Sequence, residues 1–152
     1  IHGHSGGGFM STAAILQYPD FFKAAVSCAG NHDNKIYNRW WSETHHGVKE
    51  EVNEKGDTTF VYKISSNPEI AKRLKGHLLL VHGEIDNNVH PGNSTRVVNA
   101  LIRANKRFDM LYLPTQRHGF GDMNEYFYWR LVEHFTDYLI DGRQREVDIP
   151  QR

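Results

Sequence analysis

Five residues at the start of the chain, Gly3-His4-Ser5-Gly6-Gly7, leave few options for the fold around them. In a G-x-S-x-G turn a strand passes into a helix so sharply that a Cβ at either flanking glycine is expected to collide with neighbouring backbone. The serine itself takes strained dihedrals. The turn therefore predicts a strand before it and a helix after it. Ile1 and His2 fit the end of such a strand. Gly6 to Tyr18 fits the helix, with Phe9, Met10, Ala13, Ala14 and Leu16 as its apolar set and Pro19 ending it. The Ser5 hydroxyl would then stand at a helix N-terminus, where the dipole favours negative charge. Taken alone, the pentapeptide is equally compatible with an ordinary Gly-rich turn and helix start.

The rest of the chain alternates in the same way. Ala24 to Ala29 reads as a short buried strand closed by Gly30. Residues 31 to 56 lack a clean period and read as an irregular excursion with a short helix near Lys35 to Ser42; such excursions carry specificity rather than core. Asn67-Pro68-Glu69 predicts a helix with Asn67 as N-cap, stopping at Gly76. His77 to His82 is a second buried strand closed by Gly83, and Gly92 to Lys106 an amphipathic helix. Asp109 to Leu113 is a third strand ended by Pro114. Asn124 to Ile140 is a helix with Phe127, Tyr128, Leu131, Phe135, Tyr138 and Leu139 on one broad face and Gly142 as its stop. The charged, aperiodic end reads as a loose tail. Strands alternating with helices predict an α/β fold with a mostly parallel sheet flanked by helices. Residues 1–141 form the domain and 142–152 the tail.

In such a sheet, chemistry gathers at the C-terminal strand ends. Three predicted strand ends carry candidates: Ser5, Asp86 after Gly83, and His118 after Pro114. A serine hydroxyl needs a base within hydrogen-bond reach. Imidazole is the natural base, and a buried carboxylate orients it and stabilises the imidazolium. The order serine, acid, histidine is that of the α/β-hydrolase fold. The alternatives are a loop carboxylate capping the following helix and a histidine of a polar loop. His82 and His90 read as local hydrogen-bonding residues beside the Asp86 loop. His2 and His4, and the adjacent His45 and His46, lack the partners of a metal site, so neither metal nor cofactor is expected.

Bulk properties exclude other classes. Eighteen basic and eighteen acidic residues give a formal net charge of +0, which offers nothing to nucleic acid or to an anionic membrane. Leu78-Leu79-Leu80-Val81 is far too short to span a bilayer. One cysteine, Cys28, excludes an internal disulfide. The chain opens on Ile1 inside a motif, from which an upstream portion is expected.

Three stretches together resemble the catalytic domain of the prolyl oligopeptidase family, especially its dipeptidyl peptidase IV branch. They are Gly3-His4-Ser5-Gly6-Gly7-Gly8, His82-Gly83-Glu84-Ile85-Asp86-Asn87-Asn88-Val89-His90, and Arg117-His118-Gly119. Asn31 to Trp41 occupies the place of an aromatic-rich family segment. The resemblance runs from residue 1 to about 141 and implies the C-terminal half of an α/β-hydrolase domain, with its N-terminal half and an upstream β-propeller not included. It implies Ser5 as nucleophile, Asp86 as orienting acid and His118 as general base, with the Gly6 N–H as oxyanion donor. It also implies Asn88 as the holder of a substrate carbonyl, with Tyr37, Val89 and the tryptophan segment at Trp40 lining a pocket for a small residue such as proline. Trp40 and Trp41 are also compatible with core. Two departures stand out: Gly6 replaces the tyrosine of dipeptidyl peptidase IV, and Trp40 and Trp41 replace other pocket residues.

The implied function is serine-type cleavage of short peptides, dipeptidyl-peptidase-like. The alternatives are an esterase or acylaminoacyl hydrolase on the same fold, or a hydrolase-fold interaction module with an idle triad. The second oxyanion donor, a tyrosine hydroxyl in this family, would lie upstream, so the isolated chain is expected to turn over little peptide. A nearly absent first strand would leave Ala24 to Ala29 as an unpaired edge, open to pairing with another copy, hence a possible homo-oligomer. The resemblance leans toward an extracytoplasmic or periplasmic location; nothing in the chain fixes the compartment.

Overall fold

Ala24 to Cys28 and Leu78 to Val81 have almost no polar side chains, so each must lie where both faces of a sheet are covered. In the computed structural model, which describes residues 1–140, they do. The strands are β1 (His2–His4), β2 (Ala24–Cys28), β3 (Val48–Val52), β4 (Thr58–Tyr62), β5 (His77–Gly83) and β6 (Asp109–Leu113). The helices are α1 (Gly6–Gln17), α2 (Arg39–His46), α3 (Asn67–Ile70), α4 (Gly92–Arg103) and α5 (Asn124–Leu139). Four strands form one sheet in the order β1-β2-β5-β6, parallel throughout.

Side chains alternate across this sheet. Ala25, Leu78 and Leu80 pack with Ile15 and Leu16 of α1, Ile70 of α3, and Val97 and Leu101 of α4. Val26, Cys28, Leu79 and Val81 face the other way, against Leu113, Phe120 and Phe127 of α5. Each fully buried Leu or Val contributes about 1.5–3 kcal/mol. Two such clusters outweigh the local strain of one turn, about 1–3 kcal/mol.

The sheet aligns the strand ends. His4 pairs with Cys28 and Cys28 with Val81, while Gly83 pairs with Leu113, so the loops after β1, β5 and β6 leave from one edge.

Several expectations are corrected. Ala24 to Ala29 is not an open edge: His2–His4 pairs with Val26–Cys28, and the Val26 N–H donates to the Ile1 carbonyl at 3.0 Å. Three residues suffice because the Ser5 N–H continues the ladder to the Cys28 carbonyl at 2.8 Å, pinning β1 in register. The outer strands of the sheet are β1 and β6.

Residues 31 to 56 are not irregular. A 3-10 turn (Asn34–Ile36) leads to α2, which runs to His46, and β3 pairs antiparallel with β4. The hairpin escaped notice because its faces do not alternate and most of it is exposed. Asn53 closes its loop, its side-chain oxygen accepting from the Lys55 and Asp57 amides at 2.9 Å each.

The helix at Asn67 is capped one residue earlier, by Ser66, whose amide donates to Glu69 Oε2 at 3.0 Å. It tightens into a 3-10 turn over Ala71–Arg73 and ends there rather than at Gly76. Helix α4 stops at Arg103 because Asn105 turns left-handed (φ 54°). On α5, Phe127 is buried and Leu131 and Phe135 pack on the core, but Tyr128 and Leu139 are exposed, and His134 takes a buried position instead. Gly142 and the tail lie outside the described residues.

Candidate active site at the sheet edge

Ser5 sits between β1 and α1 with φ 58° and ψ −121°, a conformation that L-residues avoid. Its carbonyl accepts the Phe9 amide at 3.0 Å, so the strained residue is also the helix cap. Gly3 cannot carry a side chain, since a Cβ there would lie 2.3 Å from the Gly7 carbonyl oxygen. The expected crowding at Gly7 is not found: among the described residues nothing lies within 4 Å of a Cβ built there. The crowded position is Gly8, where a Cβ would meet the Cys28 carbonyl at 2.4 Å because α1 starts hard against β2.

Behind the turn lies a buried polar network. Ser27 Oγ donates to the Gly8 carbonyl at 2.8 Å, and the Asn67 amide donates to the Phe9 carbonyl at 3.0 Å and to His32 Nδ1 at 2.9 Å. With Nδ1 accepting, His32 carries its proton on Nε2, facing Ser27 Oγ at 3.5 Å. Burial drives the His32 pKa down to about 3, so this ring is neutral at physiological pH.

The other two candidates meet directly. His118 Nδ1 donates to Asp86 Oδ2 at 2.8 Å. Asp86 Oδ1 accepts the Asn88 and Val89 amides at 2.9 Å each. These donors hold the carboxylate in place inside the protein. The two loops are laced together beneath this pair. A Cβ at Gly83 would lie 2.3 Å from the Arg117 carbonyl, so only glycine permits their crossing. The Ile85 amide donates to the Gln116 carbonyl at 3.0 Å, and the Thr115 amide to Glu84 Oε2 at 2.9 Å.

Ser5 approaches this pair through its neighbour. The His4 ring meets His118 edge to face at 4.8 Å between centroids and Phe120 at 5.4 Å. Among the described residues Ser5 Oγ has no hydrogen bond to His118; such contacts often tighten only with substrate.

The remaining sequence-predicted residues divide. Tyr37 Oη lies 3.5 Å from Asn88 Oδ1, and burial and the nearby Asp86 charge raise the Tyr37 pKa. Val89 is fully buried and reaches the site through its backbone. Trp40 is 73% exposed, whereas Trp41 packs on Tyr37 and His45, with its ring 3.3 Å from a Cβ built on Gly6. Trp41 therefore fills the space that a side chain at position 6 would take. Trp41 and His45 are four residues apart on α2 and share a face, which is a usable signal, whereas Tyr37 precedes the helix in extended conformation. The sequence marks His82 as a local hydrogen-bonding residue beside the Asp86 loop and Asn67 as a helix N-cap, and it carries no signal for the roles of Ser94 and His32.

Among the described residues no group of three or more His, Cys, Asp or Glu could hold a metal ion, and no helix is long and apolar enough to cross a membrane.

Residues 1–141 match the prolyl oligopeptidase family. The chain is 31% identical over 119 residues to dipeptidyl peptidase 8 of Mus musculus, covering 78% of this chain and 13% of that protein. A crystal structure of a dipeptidyl aminopeptidase IV from Bacteroides ovatus superposes with a TM-score of 0.78 at 29% identity, over 91% of this chain and 19% of the other. That of Porphyromonas gingivalis dipeptidyl peptidase 4 superposes with a TM-score of 0.77 at 30% identity, with the same coverage. The chain thus spans less than a fifth of the length of these relatives.

Proposed function

The chain belongs to the prolyl oligopeptidase family of serine peptidases, and from that premise we propose that Ser5, Asp86 and His118 form a catalytic triad that cleaves short peptides. The observation that carries the reading is the His118 Nδ1–Asp86 Oδ2 hydrogen bond of 2.8 Å, at the same sheet edge as a serine in a strained turn.

With Nδ1 donating, His118 keeps Nε2 free as the base. Ser5 Oγ attacks the scissile carbonyl carbon as its proton passes to Nε2, and Asp86 stabilises the imidazolium that results. The carbonyl oxygen, now an oxyanion, takes the Gly6 N–H, which lies at the first position of α1, where a helix leaves its amide without an internal partner. Collapse of the tetrahedral species breaks the C–N bond, and Nε2 returns its proton to the departing amine. Water, deprotonated by His118, then releases the acid and restores Ser5.

Asn88 and Tyr37, 3.5 Å apart, are assigned to the substrate side: Asn88 to a peptide carbonyl, and Tyr37 with Trp41 to a pocket for a small or proline side chain. In this reading Trp41 takes the role expected of Trp40, and Val89 acts through its backbone.

The test is labelling by a fluorophosphonate probe, in the chain and in a version extended upstream to the length of its relatives. Stoichiometric labelling lost in Ser5→Ala is the expected result. Labelling that survives Ser5→Ala in both sinks the assignment. On the extended version, dipeptide amides turned over in preference to simple esters would support peptidase over esterase chemistry.

A further inference from the structure

Asp86 Oδ2 faces two imidazoles. One is His118; the other is His82, within β5, whose Nε2 lies 3.3 Å away. His82 is fully buried, as is Ser94 at the start of α4. His82 Nε2 also lies 2.8 Å from the Val89 carbonyl, and Nδ1 lies 2.7 Å from Ser94 Oγ. Both neighbours of Nε2 are acceptors only, a carbonyl and a carboxylate, so Nε2 must carry the proton and Nδ1 must accept from the Ser94 hydroxyl.

We infer that His82 is a positioning residue for the site: fixed in its Nε2–H tautomer by the Val89 carbonyl, with Ser94 donating to Nδ1, it steadies the Asp86 oxygen that His118 uses. The inference rests on the reading of Asp86 and His118 as acid and base. Three residues of this stretch close on one another. The Val89 amide donates to Asp86 Oδ1, the Val89 carbonyl accepts from His82 Nε2, and the same nitrogen lies 3.3 Å from Asp86 Oδ2. The loop that carries Asp86 is thereby tied back onto the rigid strand it leaves. With His118 and the Asn88 amide, the buried carboxylate faces four donors.

Burial holds His82 itself below the ordinary imidazole range, in keeping with a neutral ring. The titratable groups facing this cluster are His4 at the end of β1, His32 after β2, Tyr37 and His118.

The first measurement is nitrogen NMR of the histidine-labelled chain. The expected spectrum at about pH 8, above the ordinary imidazole range, has His82 protonated on Nε2 only. A proton on Nδ1 overturns the inference whether or not any variant folds. The second compares His82→Gln, which can present an N–H near the place of Nε2, with His82→Leu, which cannot. The Leu variant should label with fluorophosphonate about tenfold more slowly or worse, since a polar contact to a charged group is lost. The Gln variant should recover most of the rate, which a purely structural role would not give. A folded Leu variant with the wild-type rate overturns the inference. Labelling that persists in Ser5→Ala instead overturns the reading of the site and leaves the His82 tautomer result standing.

Discussion

The loop after β5 and the turn after β1 each present one polar group at the sheet edge, and they do so by different means. Asp86 is held by polar contacts: two amides on one oxygen, the His118 imidazole on the other with His82 Nε2 3.3 Å away, and a crossing with the His118 loop that only Gly83 permits. Ser5 is held by sterics: a left-handed φ, a Gly3 pressed on the Gly7 carbonyl, and a Gly8 pressed on the Cys28 carbonyl. A carboxylate taken out of water needs donors, whereas a nucleophilic hydroxyl needs to be left without a competing partner. Each half of the site therefore has its own way of failing.

The largest expected effect is on the serine half, where Ser5→Ala should abolish fluorophosphonate labelling while leaving the melting temperature within a few degrees, since one half-buried hydroxyl with no hydrogen bond to His118 carries little stability. On the acid half, Asp86→Asn keeps the shape but reverses the demand on His118 Nδ1, favouring the wrong tautomer. Labelling should fall by about 10⁴, the loss seen for this change in a serine triad. A fall of less than tenfold would show that Asp86 is only a loop anchor.

Gly3→Ala tests the steric half. Its Cβ would lie 2.3 Å from backbone that cannot yield without moving α1. Destabilisation of about 3 kcal/mol or more is expected in urea melts, at the upper end for single substitutions. Acid should act on the network behind the turn. His32 has a pKa of about 3 when folded and 6.5 as its ordinary value. Between these values the unfolded chain binds a proton that the folded chain does not, so stability falls as pH drops through this window and is unaffected above it. From pH 7 to 5 the loss is about 2 kcal/mol at the slope of one proton. Part of it should vanish in His32→Gln, as read by urea melts at the two pH values. The smallest effect is at Gly7, where Ala has open space and better helix propensity. Gly7→Ala should be neutral or stabilising by about 0.5–1 kcal/mol, and a destabilisation like that of Gly3→Ala would dissolve the contrast between the two glycines.

Much of this was legible in advance where residues speak locally. Strands β2 and β5 were readable because buried parallel strands are continuous apolar runs, β1 because the serine turn requires a strand before it, and β6, α1, α4 and α5 because of their spacing and punctuation. The hairpin β3–β4 was not, because a solvent-exposed ribbon places no demand on alternation and its pairing is settled by the Asn53 loop. The choice between Trp40 and Trp41 was missed for a related reason: adjacent helix residues point apart, and which one meets Gly6 depends on where α2 docks.

What the sequence alone determined is the alternation that makes the parallel sheet, and the order Ser5, Asp86, His118 along strand ends. Both follow from local rules of turn sterics and hydrophobic period. What the tertiary structure decided is everything that needs two distant segments at one place. The sheet register put the strand ends on one edge, the Gly83 crossing joined two loops, and the Val89 carbonyl beside His82 Nε2 set a tautomer. A hydrogen bond acts over about 3 Å in space and is blind to separation along the chain, so no local pattern can encode it.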